Sequence, residues 1–243
     1  MNLILDFGNT CQKMAIVAED GIRFQITQPR ILQEDIIFAD KMYPIGHAIL
    51  SSVVNDTEEI EHFLQNKYRF IKLSPTTRIQ VKNKYKTKST LGSDRLACAV
   101  AAHNLFPDRN VLILQAGSCL TSDFISAKGE YLGGSISPGM DMRFQALHCF
   151  SARLPLTAYK NINFITGRTT EEAVLSGVIN GITAECNYII KQYKIKYPSP
   201  RLKVILTGGN VKEFEKTINH QIVTFPNLVI IGLDLILRYN VEK

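Results

Sequence analysis

Short apolar runs separated by polar turns dominate the first part of the chain. Runs of this kind, bounded by glycine, asparagine, aspartate and serine, are typical of β-strands, whereas longer segments with a helical period indicate α-helices. We expect strands at residues 3–6, 13–18, 22–27, 36–39 and 49–55, a helix near 57–67, and another strand in the segment FIKLS. The beginning of the chain is therefore predicted to form a sheet.

Helical spacing becomes prominent after residue 95. Apolar residues recur at helical intervals from Leu96 to Leu105, and Asp94 precedes them at the position where an N-cap acid is expected. Further helices are predicted at residues 140–154, 169–193, 211–219 and 232–240. Strands are predicted within residues 111–127, in a pair that ends at YLGGSISPG, and in KVILTGGN. The pattern predicts an α/β fold.

An internal repeat divides the chain. The segment LILDFGN at residues 3–9 matches LILQAGS at residues 112–118, and each copy leads into another predicted strand. The simplest architecture that explains the repeat is two duplicated α/β lobes, at residues 1–110 and 111–243. Ligands of α/β folds bind in crevices outside strand ends, so we expect a ligand cleft beside the two repeated turns.

The distribution of charged residues along the chain shows one basic segment. The chain has a net charge of +6, and no acidic residue occurs between His62 and Ser93. A basic stretch can bind a nucleic-acid backbone, attract a small anionic ligand, or form a solvated face. Because aromatic residues are few and no nucleic-acid motif is present, we expect no nucleic-acid partner. Its basic residues are Lys67, Arg69, Lys72, Arg78, Lys82, Lys84, Lys86 and Lys88.

Hydropathy and cysteine usage favour a cytoplasmic protein. No apolar run reaches the length of about 18 residues that spans a bilayer, and the apolar stretch at the N-terminus lacks the pattern of a signal peptide. We therefore expect no membrane association. The cysteines are odd in number and scattered without CxxC spacing, which is typical of reduced thiols. They are Cys11, Cys98, Cys119, Cys149 and Cys186.

The first repeated turn has the composition of a phosphate-binding turn. Gly8 lets the backbone approach a ligand closely, because it has no Cβ. Turn amides, the Asn9 side chain and the Thr10 hydroxyl can donate hydrogen bonds to phosphate oxygens, and Asp6 can hold a hydrated Mg²⁺. The alternative is a tight hairpin in which Asp6 and Asn9 only satisfy turn amides.

Three further segments support a nucleotide site. The second turn, from Gly117 to Thr121, offers a matching phosphate cradle. The segment TGG at Thr207 to Gly209 follows an apolar strand and permits a flat ring or a ribose to lie against the backbone. The segment LGSDR places Asp94 beside Arg95 at a helix start.

These segments occur in the order DxGNT, Y…LGxDR, GSxxTxD, GGSISPG, GxxT…SG and TGG, across residues 6–209. In this order and spacing the chain resembles the type III pantothenate kinases, which belong to the superfamily of actin, the Hsp70 ATPase and the sugar kinases. The resemblance implies two duplicated actin-like (ribonuclease H-like) α/β lobes, with mixed sheets flanking a nucleotide cleft. It also implies ATP-dependent phosphorylation of pantothenate, the first step of coenzyme A biosynthesis.

The resemblance further implies roles for individual residues near the substrate. Asp94 corresponds to the general base of the family, and Tyr85, Gly92, Ser93 and Arg95 correspond to residues around the pantothenate pocket. From the sequence alone, Asp94 can instead be a plain N-cap residue, and Tyr85 can be a surface tyrosine in a basic loop.

Thr170 matches a family threonine that reaches the substrate across a dimer interface, so the resemblance implies a homodimer. Its alternative role is to cap the long helix ahead of Glu171 and Glu172.

On the nucleotide side, the resemblance implies that ATP and Mg²⁺ bind to residues of the two turns and the TGG segment. Asp123 corresponds to the family acid that is associated with a monovalent cation, K⁺ or NH₄⁺. Gln115 stands where the family has an acid, which puts the cation site in doubt, although its carbonyl can still coordinate a metal. The implied nucleotide ligands are Asp6, Gly8, Asn9, Thr10, Gly117, Ser118, Thr121, Gly208 and Gly209.

Two other functions stay open, and Gln115 supports the first of them. The chain can be a degenerate family member that binds nucleotide and has a regulatory rather than catalytic role, or a kinase of the same superfamily that acts on another small alcohol. Asp94 and Arg95 argue against the first, because both residues are intact. The segments LGSDR and GGSISPG argue against the second.

Overall fold

The structure is a computed structural model that describes residues 1–198 and 202–241. In chain order the strands are β1 (Asn2–Phe7), β2 (Gln12–Ala18), β3 (Gly21–Gln28), β4 (His47–Ser52), β5 (Arg69–Lys72), β6 (Lys82–Asn83), β7 (Asn110–Ala116), β8 (Cys119–Ile125), β9 (Glu130–Pro138), β10 (Leu202–Thr207) and β11 (Val223–Thr224). The helices are α1 (Gln33–Met42), α2 (Glu58–Lys67), α3 (Ser93–Leu105), α4 (Met140–Cys149), α5 (Thr170–Lys196), α6 (Val211–Glu215) and α7 (Leu228–Val241).

The chain forms two compact units that are not contiguous in sequence. The first comprises Met1–Leu105, Gly129–Tyr131 and Asn227–Lys243, and the second comprises Phe106–Lys128 and Leu132–Pro226. Helix α7 therefore belongs to the first unit, because it packs on α3 and on strands β1 and β4. The expected lobes at residues 1–110 and 111–243 describe the sequence repeat and stay a prediction.

The first unit is built on a sheet of order β3-β2-β1-β4-β5. Strands β1, β2 and β3 are antiparallel neighbours, whereas β4 and β5 run parallel to β1. One face of the sheet packs Leu3, Leu5 and Phe7 into an apolar core with residues of α1 and α2. Residues at alternating positions lie on the other face, where Asn2 Nδ2 donates to Asp234 Oδ1 of α7 at 2.7 Å.

The second sheet has the order β6-β9-β8-β7-β10-β11, and its five strands from β9 to β11 repeat this arrangement. Strands β7 and β8 are antiparallel, and β10 and β11 run parallel to β7, as β4 and β5 do to β1. Its core lies between this sheet and apolar residues of α4, α5 and α6. The duplicated α/β architecture expected from the repeat is therefore confirmed, as is the actin-like fold with mixed sheets that the resemblance implies.

One predicted strand is wrong. Residues 36–39 lie inside helix α1, although their sequence IIFA has strand-like character. Asp35 explains the difference, because its Oδ2 accepts a hydrogen bond from the Leu32 N–H at 2.8 Å and so closes the start of the helix. Only Ile36 and Ala39 of α1 are buried, which is the spacing of one helix face.

Other predicted bounds shift by a few residues. Helix α4 ends at Cys149 rather than near residue 154, and α6 ends at Glu215 rather than near residue 219. The short strands β6 and β11 were not predicted, because two residues carry no periodic signal. Strand β6 pairs with Glu130 and Tyr131, the first residues of β9.

Within the described residues, only helix α5 is long and apolar enough to cross a membrane by length and composition. Its apolar residues are interspersed with polar ones, so the sequence shows no continuous apolar run there. Val174, Val178, Ile182, Cys186 and Ile190 of this helix lie in the core of the second unit. Core helices pass the same test, so α5 is weak evidence for a membrane span.

Candidate active site

A polar row crosses the sheet of the first unit at the end of β1. Asp6 is paired with Lys13 of β2 on one side and with Ser51 of β4 on the other. Ser51 Oγ donates to Asp6 Oδ1 at 3.2 Å, and it lies 2.9 Å from Ser93 Oγ at the start of α3. The row therefore connects the acid of the first turn to the helix that carries Asp94.

The charge of Asp6 is strongly influenced by its surroundings. Burial, and to a smaller extent the negative charge of Asp94, raise the pKa of Asp6 to about 6, although Lys13 and the hydrogen bond from Ser51 act to lower it. The two carboxylates thus lie within electrostatic reach of each other. Such pairs of interacting acids are common at catalytic and metal-binding sites, although structural networks also produce them.

Asp94 is the second residue of α3 and lies in its first turn, one residue beyond Ser93. It is therefore inside the helix and is not the plain N-cap that the sequence left open. A Cβ on Gly92 would lie 2.7 Å from Asp94 Oδ1, so the carboxylate folds back over Gly92. Any larger residue at this position would displace the Asp94 side chain.

Arg95 is buried and lies against Tyr85. It is 4% exposed, and its guanidinium carbon lies 5.7 Å from the centre of the Tyr85 ring. Tyr85 in turn packs against Tyr131, with ring centroids 6.1 Å apart. Tyr85 is half-buried and is not the freely exposed surface tyrosine that was the alternative. The structure thus brings together Tyr85, Gly92, Ser93, Asp94 and Arg95.

The first turn presents its polar side chains to solvent. The Gly8 N–H donates to the Cys11 carbonyl at 3.1 Å, which closes the turn and leaves this amide unavailable to a ligand. A Cβ on Gly8 would lie 3.0 Å from the same carbonyl. Asn9 and Thr10 are exposed at the tip. Gly8 therefore permits the tight turn, and Asn9 and Thr10 offer the polar groups.

The second turn is closed in the same way, since the Gly117 N–H donates to the Cys119 carbonyl at 3.0 Å. Two other glycines pack directly against it. A Cβ on Gly139 would lie 2.2 Å from the Gly117 carbonyl oxygen, and a Cβ on Gly208 would lie 2.2 Å from the Ala116 carbonyl oxygen. These contacts explain why GGSISPG and TGG accompany the turn in the sequence.

The backbone beside the second turn is partly exposed to solvent. Ser118 is exposed, and its carbonyl accepts a hydrogen bond from the Gly139 N–H at 3.1 Å. Gly208 has a φ of 106°, which favours glycine. Gly209 is exposed, and a Cβ there would meet nothing within 4 Å. The TGG segment therefore leaves room beside its backbone for a flat group.

A second polar row corresponds to the row at Asp6. Gln115 of β7 is paired with Thr121 of β8 and with Thr207 of β10. Thr121 Oγ1 donates to Asp123 Oδ2 at 3.4 Å, and Asp123 is 1% exposed. Gln115 and Asp123 do not face each other across the strands, because Asp123 is paired with Ile113.

Thr170 is the first residue of α5 and is exposed. The cap is its neighbour Thr169, whose Oγ1 accepts a hydrogen bond from the Glu172 N–H at 3.1 Å. Glu172 completes the capping box by accepting from the Thr169 N–H at 3.2 Å. Capping, the alternative role of Thr170, is therefore wrong.

The donor set suits Mg²⁺ better than a metal held by protein alone. Among the described residues, no group of three or more His, Cys, Asp and Glu side chains could hold a metal ion. Mg²⁺ typically binds one or two carboxylates together with substrate phosphates and water. Asp6, at the edge of an exposed turn, fits this requirement.

Three contributors to the site were not identified from the sequence. Ser51 and Lys13 flank Asp6 only because β4 and β2 pair with β1. Tyr131 lies more than forty residues beyond Tyr85 in the chain. Ser51 follows the apolar run AIL in a strand parallel to β1, which is the one local signal that could have indicated it.

Comparison with known proteins identifies the family of the chain. The family model of type III pantothenate kinases matches residues 2–192. A type III pantothenate kinase of Phocaeicola vulgatus is 39% identical over 241 residues, which are 99% of each chain. That of Christiangramia forsetii is 38% identical over 242 residues, again 99% of each chain.

Solved structures show the same fold. A conserved Campylobacter jejuni protein described as a Baf family transcriptional activator is 24% identical, with a TM-score of 0.60, and covers 99% of this chain and 100% of its own. A glucokinase from an Antarctic psychrotroph is 11% identical, with a TM-score of 0.51, and covers 98% of this chain and 99% of its own. At these identities the likeness concerns the fold alone. The family match and the relatives along nearly the whole chain show that the chain belongs to the type III pantothenate kinase family.

Proposed function

We propose that this chain transfers the γ-phosphoryl group of ATP to the primary alcohol of pantothenate, with Asp94 as the general base. As a type III pantothenate kinase, the chain is an enzyme of coenzyme A biosynthesis. The observation that supports the assignment of Asp94 is its placement in the first turn of α3, within electrostatic reach of Asp6. An acid that binds metal and an acid that accepts a proton are the two carboxylates that this reaction needs.

The transfer proceeds by displacement at phosphorus. The Asp94 carboxylate accepts the proton of the pantothenate hydroxyl as its oxygen bonds to the γ-phosphorus. The bond from the γ-phosphorus to the β–γ bridging oxygen breaks, and its electron pair leaves with ADP. When bound at Asp6, Mg²⁺ neutralises part of the charge on the phosphates.

The two turns bind the nucleotide phosphates. Asn9 and Thr10 of the first turn, and Ser118 and Thr121 of the second, supply polar groups. Gly8 and Gly117 keep the backbone free of a Cβ beside the ligand. Gly208 and Gly209 provide the open backbone against which the adenosine lies.

Arg95 and Tyr85 form one wall of the pantothenate pocket. A guanidinium suits the carboxylate and amide oxygens of this substrate through its fork of donors. The guanidinium carbon lies 5.7 Å from the centre of the Tyr85 ring, so the two side chains would contact the substrate together. Gly92 and Ser93 complete the wall beside Asp94.

The enzyme acts as a homodimer in which Thr170 contacts the substrate of the partner subunit. This proposal is supported by three exposed apolar side chains in the segment that leads to α5: Phe150 is 91% exposed, Leu156 62% and Ile165 85%. Exposed apolar residues grouped in one segment are typical of interaction sites. The Thr170 hydroxyl, which does not cap its helix, lies in the same part of the second unit.

A monovalent cation, K⁺ or NH₄⁺, binds near Asp123, with the Gln115 carbonyl as a weaker ligand than the acid of the family. The enzyme works in the cytoplasm, which is supported by its five free cysteines.

The test is phosphate transfer from ATP to pantothenate in a coupled assay, with and without K⁺ or NH₄⁺. Asp94→Asn keeps the size of the side chain and removes the base, so we expect kcat to fall by about 10²–10⁴-fold. Glu34→Gln is the matched control, because Glu34 is an exposed acid in the first turn of α1. A folded wild-type protein that binds ATP without turnover under any cation would contradict the proposal.

A further inference from the structure

The loop between Tyr85 and α3 begins and ends at the same wall of the first unit. The Tyr85 ring, which precedes the loop, lies 5.7 Å from the guanidinium carbon of Arg95, which follows it. A loop whose two ends lie close together projects from one place on the surface. Residues 86–91 of this segment form the basic loop, and its side chains from Lys86 to Thr90 are all exposed.

Hydrogen bonds fix the entry to the basic loop and its turn. Before it, the Lys84 N–H donates to the Tyr131 carbonyl at 3.0 Å, and the Tyr85 N–H donates to Asn83 Oδ1 at 2.9 Å. Within it, residues Lys88–Thr90 form a 3₁₀ turn, in which the Thr90 N–H donates to the Thr87 carbonyl at 3.1 Å. The position of the loop relative to Tyr85 is therefore defined.

Most of the basic residues in the acid-free segment between His62 and Ser93 have partners, but those of the basic loop do not. Neither Lys86 nor Lys88 forms an ion pair with a carboxylate among the described residues. Five other basic residues of the segment are engaged: Lys67 with Asp40, Lys72 with Glu61, Lys84 with Glu130, Arg69 with the Val241 carbonyl, and Arg78 with the Tyr239 ring.

The two free charges lie close to the wall formed by Tyr85 and Arg95. Chain connectivity keeps the Lys86 Cα about 3.8 Å from the Tyr85 Cα, and the Lys88 Cα within about 14 Å of the Gly92 Cα. At low ionic strength a charge acts over about 20–30 Å. Both ammonium groups therefore contribute to the electrostatic potential in front of this wall.

The same wall carries negative charge that an anionic substrate has to overcome. Asp94 lies beside Arg95 at the start of α3, and its charge already acts on Asp6. The carboxylate of pantothenate is ionised at neutral pH, because its pKa lies near that of other carboxylic acids, at about 4. Two further positive charges at the entrance offset the repulsion between this carboxylate and the acids of the site.

We propose that Lys86 and Lys88 make the enzyme prefer the anionic form of its substrate, because their charges attract the carboxylate of pantothenate to the wall formed by Tyr85 and Arg95. The inference rests on the proposed kinase function. A few free charges on one short loop suit a single carboxylate better than a nucleic-acid backbone, which requires contacts to many phosphates.

The test compares pantothenate with its uncharged amide, which keeps the primary alcohol and lacks the carboxylate. In the double variant Lys86→Gln, Lys88→Gln we expect the KM of pantothenate to rise by about 3–10-fold at an ionic strength of about 0.02 M. The KM of the amide should change by less than about twofold, because it carries no charge for the lysines to attract.

Ionic strength gives a second readout. With K⁺ held constant, tetramethylammonium chloride raises the ionic strength to about 0.5 M, where charges are screened within about 4–5 Å. The wild type and the double variant should then differ by less than about twofold in the KM of pantothenate. A loop that only supports the fold would change the KM of both substrates at either ionic strength.

Three further variants separate charge from shape. Lys86→Arg, Lys88→Arg keeps both charges and should keep the preference for pantothenate over its amide. Lys86→Glu, Lys88→Glu reverses both charges and should raise the KM of pantothenate further than the glutamine variant does. Lys41→Gln, Lys128→Gln removes two exposed lysines elsewhere in the chain and is the matched control, which should behave as the wild type.

The outcomes separate this inference from the proposed function. An enzyme that phosphorylates both substrates, with a preference that the glutamine variant leaves unchanged, overturns the role of the two lysines alone. A glutamine variant that loses affinity for duplex DNA and keeps its KM for pantothenate overturns it in favour of nucleic-acid binding. A folded wild type that phosphorylates neither substrate overturns the proposed function, and the inference with it.

Discussion

At the scale of single residues, Asp6 combines two properties that oppose each other. It must be ionised to hold Mg²⁺, yet burial and the charge of Asp94 favour its protonated form. A pKa that rises from 3.8 to about 6 on folding means that the folded protein binds the proton more tightly than the unfolded chain. The ionised carboxylate therefore lowers the stability of the protein when no metal is bound.

We predict that Asp6→Asn stabilises the metal-free protein above pH 6. The wild type loses stability as the pH rises from about 4 through about 6, and the loss amounts to about 3 kcal/mol at higher pH. Asparagine can still accept the hydrogen bond from Ser51 but carries no charge. Urea unfolding in EDTA at pH 5 and pH 8 measures the effect. The variant should be more stable than the wild type at pH 8, with a smaller difference at pH 5.

Asp20→Asn serves as the control for this experiment, because Asp20 is an exposed acid paired with Arg23. Its stability should change by less than about 0.5 kcal/mol at either pH. An Asp6→Asn variant that is less stable than the wild type at pH 8 would show that burial is not what raises the pKa.

The sequence can single out the two turns and LGSDR as candidate site segments, because each motif is local and its spacing is short; the roles of their residues stay predictions. It does not distinguish Thr169 from Thr170 as the cap of α5, since both hydroxyls precede the same acids. The positions of Ser51 and Lys13 beside Asp6 could not be predicted from the sequence for another reason. Their relation to Asp6 depends on strand pairing, which requires the register of three strands.

At the scale of elements, local capping and long-range packing decide the differences between prediction and structure. Helix α1 forms from a strand-like segment because Asp35 closes its first turn. Helices α3 and α7 approach closely because Gly232 of α7 lies against Ala97 of α3. A Cβ at Gly232 would lie 1.9 Å from the Ala97 carbonyl oxygen. This oxygen belongs to the backbone of α3, which cannot move aside as the end of a flexible side chain can.

We predict that Gly232→Ala lowers the free energy of unfolding by about 1–3 kcal/mol, because the added methyl group forces the two helices apart. Gly181→Ala on helix α5 is the control, since a Cβ there meets nothing within 4 Å. Removing an exposed helical glycine should stabilise the protein by up to about 1 kcal/mol. Thermal unfolding of both variants measures the difference. Equal effects at the two positions would contradict the packing argument.

At the scale of the whole molecule, the repeat of LIL at residues 3–5 and 112–114 correctly predicts two similar sheets. Both sheets place a glycine turn after their central strand, at the position expected for a ligand site. The bounds of the compact units could not be read from the repeat. They depend on where α7 packs, and no local pattern in residues 228–241 specifies its partner.

The proposed dimer leads to a mixing prediction. Asp94→Asn and Thr170→Val should each be weakly active alone, because every site lacks one essential group. In a dimer of one chain of each kind, one site is doubly defective and the other receives intact Asp94 and intact Thr170. Random exchange of subunits should therefore restore about a quarter of the wild-type activity. A monomer in solution, or a mixture that stays as inactive as its components, would contradict a shared site.

The return of α7 to the first unit also has a consequence for biosynthesis. Domains generally fold in the order in which the ribosome makes them. Here the strand that carries Asp6 is made first, but the face of its sheet that holds this acid packs against a helix at residues 228–241. The whole second unit is translated in between. The part of that face that α7 covers therefore stays exposed in the nascent first unit, and we expect chaperones to bind it until residues 228–241 have left the ribosome.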